Sequence, residues 1–249
     1  MKRWVVLLCV LLLFPLSCAS SKALRREKAK TYRHLGEGYL AEANTSAALR
    51  ELLKAKELNQ HDPYTYYDLG LTYFAKDEFE LAIKHFEKAL DLKADYPKAR
   101  NALGAVYLRM ERWDEAISYF NRALENLLYA TPHKALNNLG EAYRGKGAYD
   151  RAITYYRQAL ERSPRFVTAL QNMAASYLAL GNYDGAISAL ERAERYAPGL
   201  ASIQFDLGRA YAARFETEKA LAAFNKARAL APDSPLARRA RDRIQQLRQ

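Results

Sequence analysis

The feature that most constrains this chain is a short motif that recurs at a nearly fixed spacing. A Leu-Gly pair followed by Tyr three residues after the Gly occurs five times, and Met173-Ala174 with Tyr177 is a weaker sixth copy. A spacing of about 34 residues is typical of a two-helix unit that must stack on its neighbours to bury its apolar stripe. The second members of the six pairs are Gly36, Gly70, Gly104, Gly140, Ala174 and Gly208.

The second half of each repeat carries a matching pattern of small and bulky residues. Twelve residues after each second member stands an Ala, then a bulky side chain four residues later and another Ala three residues after that. The bulky residues are Leu52, Phe86, Phe120, Tyr156, Leu190 and Phe224. This pattern resembles the tetratricopeptide repeat over residues 29–232. We expect the first Ala to face the glycine, so that the two helices approach closely, and the bulky residue to fill the layer between neighbouring units.

The repeats predict an all-α fold, a right-handed α-solenoid of six tetratricopeptide helix pairs in residues 29–234. Only 11 Gly and 8 Pro in 249 residues also favour helices joined by short loops. The step of 36 residues between Gly104 and Gly140 places two extra residues near 127–132, in a longer helix or a longer loop. Residues 235–249 read as a capping helix, with one apolar face and arginines around it.

The N-terminus has the pattern of a signal peptide, predicted for residues 1–17. Lys2 and Arg3 precede a stretch without charge, Trp4–Leu16, which is short for a membrane span. The end of that stretch, Ser17-Cys18, resembles a bacterial lipobox, although Pro15 stands where the family usually has Leu. The resemblance implies a diacylglycerol on Cys18 and, since Ala19 follows, the periplasmic face of an outer membrane. The alternatives are an ordinary secreted protein with an incidental Cys, or an uncleaved anchor.

The positive charge is concentrated at the two ends of the chain. The chain has a net charge of +11, and residues 18–30 and 235–249 each contribute a net +4. A nucleic-acid-binding protein would place its basic stripe on the folded body, so nucleic acid is not an expected partner. Residues 18–28 are predicted to be a basic tether close to anionic lipid, the alternative being that the charge serves solubility alone.

Residues suited to catalysis or metal binding are scarce in this sequence. Both cysteines, Cys9 and Cys18, lie in the first 18 residues, and no two histidines have the helical spacing of a metal site. The segment 140–147 is similar to a phosphate-binding loop, but it ends in Gly instead of Ser or Thr and follows no strand. We therefore predict a non-enzymatic protein with no catalytic residue, no metal and no cofactor beyond the lipid.

The remaining candidate site is a groove lined by the first helices of the repeats. In the early units its positions are apolar and suit an amphipathic partner segment. In the later units amides could pair with the backbone of an extended peptide. The alternative is that the apolar residues pack against the next unit and the amides are solvated. The predicted groove residues are Leu40, Tyr64, Tyr67, Leu71, Phe74, Ala105 and Leu108, and the amides Asn101, Asn137, Asn138, Gln171 and Asn172.

Six repeats behind a lipobox resemble the pilotin lipoproteins of type IV pilus biogenesis. Residues 126–140 carry the closest likeness, because that family also lengthens the chain here, with a Tyr and a Pro before Asn-Leu-Gly. The resemblance implies a lipid-anchored scaffold that escorts a secretin subunit to the outer membrane and assists its assembly. Two alternatives remain, an adaptor that recruits peptidoglycan hydrolases or other envelope enzymes, and a component of a polysaccharide synthesis or export system.

Overall fold

The computed structural model describes the backbone of residues 2–249 and the side chains of residues 21–249. The predicted signal peptide and Cys18 lie outside the described side chains, so their processing and lipidation stay predictions. Of the described helices, none is long and apolar enough to cross a membrane. The described chain is all-α, with no strand and with thirteen helices: α1 (Lys2–Ala41), α2 (Thr45–Leu58), α3 (Pro63–Ala75), α4 (Phe79–Leu92), α5 (Pro97–Arg109), α6 (Trp113–Leu124), α7 (Pro132–Gly145), α8 (Tyr149–Arg162), α9 (Val167–Ala179), α10 (Tyr183–Tyr196), α11 (Ala201–Ala213), α12 (Thr217–Leu230) and α13 (Pro235–Leu247).

The helices form antiparallel pairs within two compact units, residues 1–106 and 107–249. In the first unit α1 packs on α2 and α3 packs on α4. In the second unit α7, α9 and α11 pack on α8, α10 and α12 respectively, and α13 covers both α11 and α12. The all-α prediction of stacked two-helix repeats is therefore confirmed. The predicted tether, over its described residues 21–28, continues helix α1 with exposed side chains.

The starts of several helices are fixed by capping residues. The Asp62 carboxylate accepts hydrogen bonds from the backbone N–H groups of Tyr64 and Thr65, both at 3.3 Å. The side chains of Asn44, Asn182 and Ser234 cap α2, α10 and α13 in the same way. A cap satisfies a backbone donor that the first helical turn leaves without a partner, so these residues define where each helix begins.

Within each pair, one residue of the turn between the helices has a positive φ. A left-handed residue ends the first helix and reverses the chain direction; glycine adopts this conformation at no steric cost, whereas other residues are strained there. Two of the six turns use glycine and four do not. The residues are Ala43, Asp77, Glu111, Gly147, Gly181 and Phe215.

The motif glycines mark the closest approach of the two helices in a pair. A Cβ atom placed on Gly70 would lie 2.6 Å from Phe86, and one on Gly36 would lie 2.6 Å from Leu52. The bulky residue therefore fills the space above the glycine inside its own pair, which differs from the expected position between units. The expected Ala is near as well, but through its backbone: the Ala48 carbonyl oxygen lies 3.4 Å from the same point on Gly36.

The two extra residues of the long step lie in a loop. Four residues separate most successive pairs, as in 59–62 and 163–166, whereas seven residues, 125–131, follow α6. Tyr129 anchors this loop by packing on Ala123 and Ala135. The side chains of Leu127 and Leu128 stay 97% and 91% exposed.

Candidate functional site

The first helices of successive pairs lie side by side within each unit. In the first unit α1 contacts α3; in the second unit α7 contacts α9, α9 contacts α11, and α11 contacts α13. In each unit, we call the side chains of these first helices, together with the side chains from other segments that contact them, the first-helix surface. All the predicted groove residues lie on first helices, and the chemistry of the two surfaces differs.

Aromatic rings and a lysine form the centre of the first unit's surface. The ring of Tyr64 is 41% exposed and meets the edge of Tyr96 at a centroid distance of 5.6 Å. Lys93 donates a hydrogen bond to the Tyr64 hydroxyl at 2.9 Å and lies over both rings, 4.9 and 5.0 Å from their centroids. Such cation–π contacts hold rings and ammonium group in place. Tyr64 is thus a rigid ring that a partner can reach.

Tyr67, the next predicted aromatic residue, is mostly a packing residue. Its ring lies 5.8 Å from Phe86 and 5.2 Å from Tyr96, centroid to centroid, and it is half-buried. Phe74 similarly packs on Phe79 at 6.2 Å, near the turn of its own pair. For these two side chains the packing alternative describes the contacts better than an open groove does.

Beside the rings lies a group of four charged side chains that the sequence did not single out. Arg33 forms ion pairs with Glu37, one helical turn away, and with Asp62 at 3.3 Å. Its guanidinium is also 3.9 Å from Asp68, and it lies 5.4 Å from the centre of the Tyr64 ring. One arginine thus joins α1 to α3 and to the exposed tyrosine.

Two of the three acids of this group, Asp68 and Glu37, have pKa values that are shifted in opposite directions. Burial, together with the neighbouring charge of Glu37, raises the pKa of Asp68 to about 8, although Arg33 opposes the shift. Burial would raise the pKa of Glu37 too, but hydrogen bonding to His34 and the charge of Arg33 outweigh it, so that this pKa is lowered. Of these two acids, Glu37 therefore carries the negative charge at neutral pH.

The other predicted apolar residues are partly covered. Leu40 and Leu71 lie on α1 and α3, at the end of the surface away from the Asp62 cap, and Asn101 and Ala105 lie on α5; all four are half-buried. Leu108, also on α5 and half-buried, belongs to the second unit. No contact of these residues singles one of them out as a partner-binding side chain.

The amides of the second unit are joined to one another by hydrogen bonds. Asn172 donates to the Asn137 side-chain oxygen at 3.1 Å, and Asn137 donates to the Asn138 oxygen at 3.4 Å. Gln171 donates to the Ser202 hydroxyl at 3.0 Å. The side chain of Asn137 is only 3% exposed. These amides link α7 to α9 and α9 to α11, so they form a polar row that is held by side-chain hydrogen bonds and in which Asn138, Gln171 and Asn172 stay partly exposed.

Charged residues also line the second unit's surface at positions that sequence reasoning missed. Burial raises the pKa of Glu141, with Arg144 opposing, and it raises the pKa of Asp206, with Arg209 opposing. The repeat spacing was the signal that could have found them: Asp206 lies 34 residues after Asn172, as Arg33 lies 34 residues before Tyr67. Both surfaces are suited to binding a peptide through rings, amides and charges.

The sequence matches models described as Tetratricopeptide repeat over residues 63–128, 95–165, 143–199 and 172–235. A comparison with curated proteins gives no match. Tetratricopeptide repeat proteins are in general non-enzymatic scaffolds for protein interactions, and none of the matching models is of a catalytic family.

Several solved structures share the fold. The type IV pilus biogenesis factor PilW is 20% identical with a TM-score of 0.79, over 89% of this chain and 98% of that one. Pseudomonas aeruginosa PilF is 21% identical with a TM-score of 0.75, over 88% and 99%. A chain of the APC/C hetero-tetramer Cut9–Hcn1 is 20% identical with a TM-score of 0.76. The match covers 89% of this chain but only 43% of that one, so this chain spans less than half the length of that relative. Since the matched models cover most of the sequence and these structures share its helix pairs, the chain belongs to the tetratricopeptide repeat family.

Proposed function

We propose that this protein is an outer-membrane-anchored scaffold that binds a secretin subunit and assists secretin assembly in type IV pilus biogenesis. The observation that carries the proposal is the likeness to PilW, a type IV pilus biogenesis factor, over 98% of that chain. PilF is matched over a similar share, whereas Cut9–Hcn1 is matched over less than half of its length. The likeness of residues 126–140 to the pilotin family, with a loop of extra length at the same place, supports the same function.

The first unit's surface would hold an amphipathic segment of the partner. Tyr64 offers an exposed ring whose position is fixed by Lys93 and Tyr96, and Leu71 continues an apolar path along α3. Rigid aromatic rings give a large contact area at a low cost in side-chain entropy, which makes tyrosine a frequent anchor at interfaces. Loss of the Tyr64 ring should therefore weaken binding more than loss of any half-buried residue near it.

The second unit's amide row would hold an extended stretch of the same partner. Asparagine and glutamine side chains both donate and accept, so they can pair with a peptide backbone whatever its side chains are. Their mutual hydrogen bonds fix their positions before the partner arrives, which reduces the entropy lost on binding. A structure with 27% identity, YrrB, is described as a tetratricopeptide repeat protein with an unusual peptide-binding site, which supports peptide recognition on such a scaffold.

The lipid anchor would come from Cys18. Each buried CH₂ of an acyl chain contributes about 0.8 kcal/mol, so two or three chains hold a protein on a bilayer durably. The exposed cations of the helical segment that follows, Lys22, Arg25 and Arg26, would then lie next to anionic headgroups. Cys18→Ala should move the protein from the membrane fraction to the soluble fraction and abolish incorporation of labelled palmitate; sedimentation with membranes as before would contradict the anchor.

Site-specific photocrosslinking in living cells tests the secretin partner directly. A photoreactive residue at Tyr64 should crosslink to the secretin, identified by mass spectrometry, while the same residue at exposed Arg195, on the second helix α10, should not. Deleting the gene should remove secretin multimers and surface pili. The proposal fails if secretin multimers persist at normal levels, or if the Tyr64 crosslinks contain only other envelope proteins such as peptidoglycan hydrolases.

A further inference from the structure

Two arginines line a pocket at the end of the second unit's first-helix surface, and a third, Arg239, lies over Phe205, which packs on Phe224 in the pocket wall. Arg209 on α11 and Arg243 on α13 line a pocket of about 240 Å³, and Arg239 lies one turn before Arg243. The pocket has apolar walls and one amide besides its two guanidinium groups. We call it the arginine pocket; its lining residues are Arg209, Ala212, Phe224, Arg243, Gln246 and Leu247.

Positive charge exceeds negative charge around the arginine pocket. Arg209 pairs with Asp206 at 3.3 Å. Arg243 donates instead to the neutral side-chain oxygen of Gln246 at 2.9 Å, and the Arg239 guanidinium lies 4.7 Å from the centre of the Phe205 ring. Among the described residues, no carboxylate forms an ion pair with Arg239 or Arg243. Three cations therefore face one acid.

The contacts of these arginines favour an incoming carboxylate. A guanidinium presents five N–H donors in a planar fork, and stacking on Phe205 or bonding to Gln246 uses few of them while fixing the direction of the fork. Hydrogen bonds between a guanidinium and a carboxylate are short, strong and often doubled. The walls formed by Ala212, Phe224 and Leu247 would accept an apolar side chain next to that carboxylate.

The amide row leads directly to this pocket. Gln171 bonds Ser202 at 3.0 Å, and hydrogen bonds from Arg209 and Gln171 also oppose the raised pKa of Asp206. Polar groups therefore connect α7 to α9 through Asn137 and Asn172, and α9 to α11 through Gln171, Ser202 and Asp206, next to Arg209. An extended segment lying along the row would place one of its side chains at the arginines.

We propose that the arginine pocket binds an Asp or Glu side chain, with an adjacent apolar residue, in the partner segment held by the second unit. This inference rests on the proposed function only in that the second unit holds a partner segment. The acidic residue would fix the direction and register of that segment, which an amide row that contacts only backbone cannot do. The pocket thus supplies sequence specificity to a surface that otherwise lacks it.

Selection from a displayed library of random twelve-residue peptides tests the proposal, with the full-length chain immobilised in detergent. Selected peptides should share an Asp or Glu next to an apolar residue. Changing both Arg239 and Arg243 to Gln should weaken binding of the best peptide about ten-fold, because two partly exposed charge pairs are lost. Replacing the acid of the peptide by its amide should weaken binding to the natural chain equally, and should have no further effect on the double variant.

The matched control is the double change of Arg238 and Arg241 to Gln, which removes the same charge from other exposed positions of α13. Binding should change less than two-fold. Equal weakening by both double variants would mean a diffuse charge effect and would overturn the proposal, as would peptides without a shared acid, or no selected peptide at all. If those results came with intact secretin crosslinks, only the pocket would be wrong; an acidic consensus without secretin crosslinks would refute only the proposed function.

Discussion

The two units place different polar chemistry on the same helical repeat. The first unit's surface gathers charged side chains, with Arg33 shared among three carboxylates next to an exposed tyrosine. The second unit's surface joins neutral amides in a row and ends in exposed arginines. Both are built on the same helix pair, closed by a bulky side chain over a glycine. The repeat therefore fixes the backbone, while the positions on the first helices are free to differ.

This difference has a consequence for how each surface responds to its surroundings. The buried acid Asp68 makes the first surface sensitive to pH, since its pKa is raised to about 8. On the second surface burial also raises the pKa of Glu141 and Asp206, but the amides between them do not titrate. The amides Asn137, Asn172 and Gln171 carry no charge at any pH, so this part of the second surface stays constant. If the two units share the glycine contact and differ in their surfaces, substitutions at the motif glycines should act alike in both units, whereas substitutions on the two surfaces should not.

Because the same contact between a glycine and a bulky side chain closes the helix pairs of both units, the motif glycines of both units should be equally intolerant of a side chain. Gly70→Ala would place a methyl group 2.6 Å from Phe86, and Gly140→Ala would place one against the Tyr156 ring, 2.7 Å from its Cδ1 atom. Each change should lower the free energy of unfolding by about 2–3 kcal/mol, because a ring must leave its packed position. Chemical denaturation followed by circular dichroism measures the loss.

Gly38→Ala is the matched control, because Gly38 lies in the same kind of helix with nothing within 4 Å of the added methyl group. It should stabilise the protein by up to about 1 kcal/mol, since alanine restricts the unfolded chain and favours helix. Equal changes in the free energy of unfolding for Gly38→Ala and Gly70→Ala would contradict a close glycine contact between the two helices. A loss of stability for Gly70→Ala but not for Gly140→Ala would show that the two units do not share this contact.

The buried acid of the first unit predicts a stability that falls as the pH rises. The pKa of Asp68 is about 8 in the folded chain and near its ordinary value of 3.8 in the unfolded chain. Between these two pH values the folded state holds one more proton than the unfolded state. The contribution of protonated Asp68 to the free energy of unfolding is therefore complete below about pH 4 and is lost as the pH rises through about 8. Asp68→Asn should be more stable than the natural chain at pH 8 by about 1–2 kcal/mol, because the amide is neutral and needs no proton in order to be buried.

Denaturation curves at pH 5, 6.5 and 8 measure this difference, and the gap between variant and natural chain should widen with pH. A gap at Asp68 that is constant with pH, or that narrows as the pH rises, would show that the acid is ionised throughout and that the first surface does not titrate.

The sequence predicted the scaffold well because the scaffold is what repeats. Spacing alone located the helix pairs and the glycines, and it placed the two extra residues near 127–132, where the structure has a long loop. It did not decide between a longer helix and a longer loop. That outcome depends on Tyr129, which packs into a pocket formed by Ala123 and Ala135 and holds the loop down.

The surface chemistry was less predictable, because it depends on contacts between residues about 30 positions apart. Lys93 meets Tyr64, and Asn172 meets Asn137, only because stacking brings their helices together. Apolar and amide residues attracted attention by type, whereas Arg33 looked like an ordinary solvated charge. When each position of the repeat is compared across all six copies, whatever residue it holds, Arg33 is seen to occupy the same position as Tyr67.

The amide row of the second unit predicts a measurable coupling between two helices. Asn137→Ala should cost about 1–2 kcal/mol, because Asn172 loses the acceptor of its 3.1 Å hydrogen bond inside the fold. Asn172→Ala should cost less, since Asn137 keeps its bond to Asn138. The double variant should cost less than the sum of the two by about 1 kcal/mol. Additive costs in this double-mutant cycle would mean that the amides act independently and do not form a row.

The smallest effect concerns ion pairs that recur between successive pairs of the second unit. Asp114 at the start of α6 pairs with Lys146 at 2.5 Å, and Asp184 at the start of α10 pairs with Arg214. Equivalent positions of the early repeats hold Ser46 with Lys76, and Glu80 with Met110, which cannot pair in this way.

Exposed ion pairs contribute little to stability, so Asp114→Asn and Asp184→Asn should each lower the free energy of unfolding by about 0.5 kcal/mol at low salt and by less at 0.5 M salt. Thermal unfolding at the two salt concentrations measures the difference. A larger loss of stability that salt does not reduce would mean that these ion pairs hold the helix pairs of the second unit together. The two units would then differ in how their helix pairs are joined as well as in their surfaces.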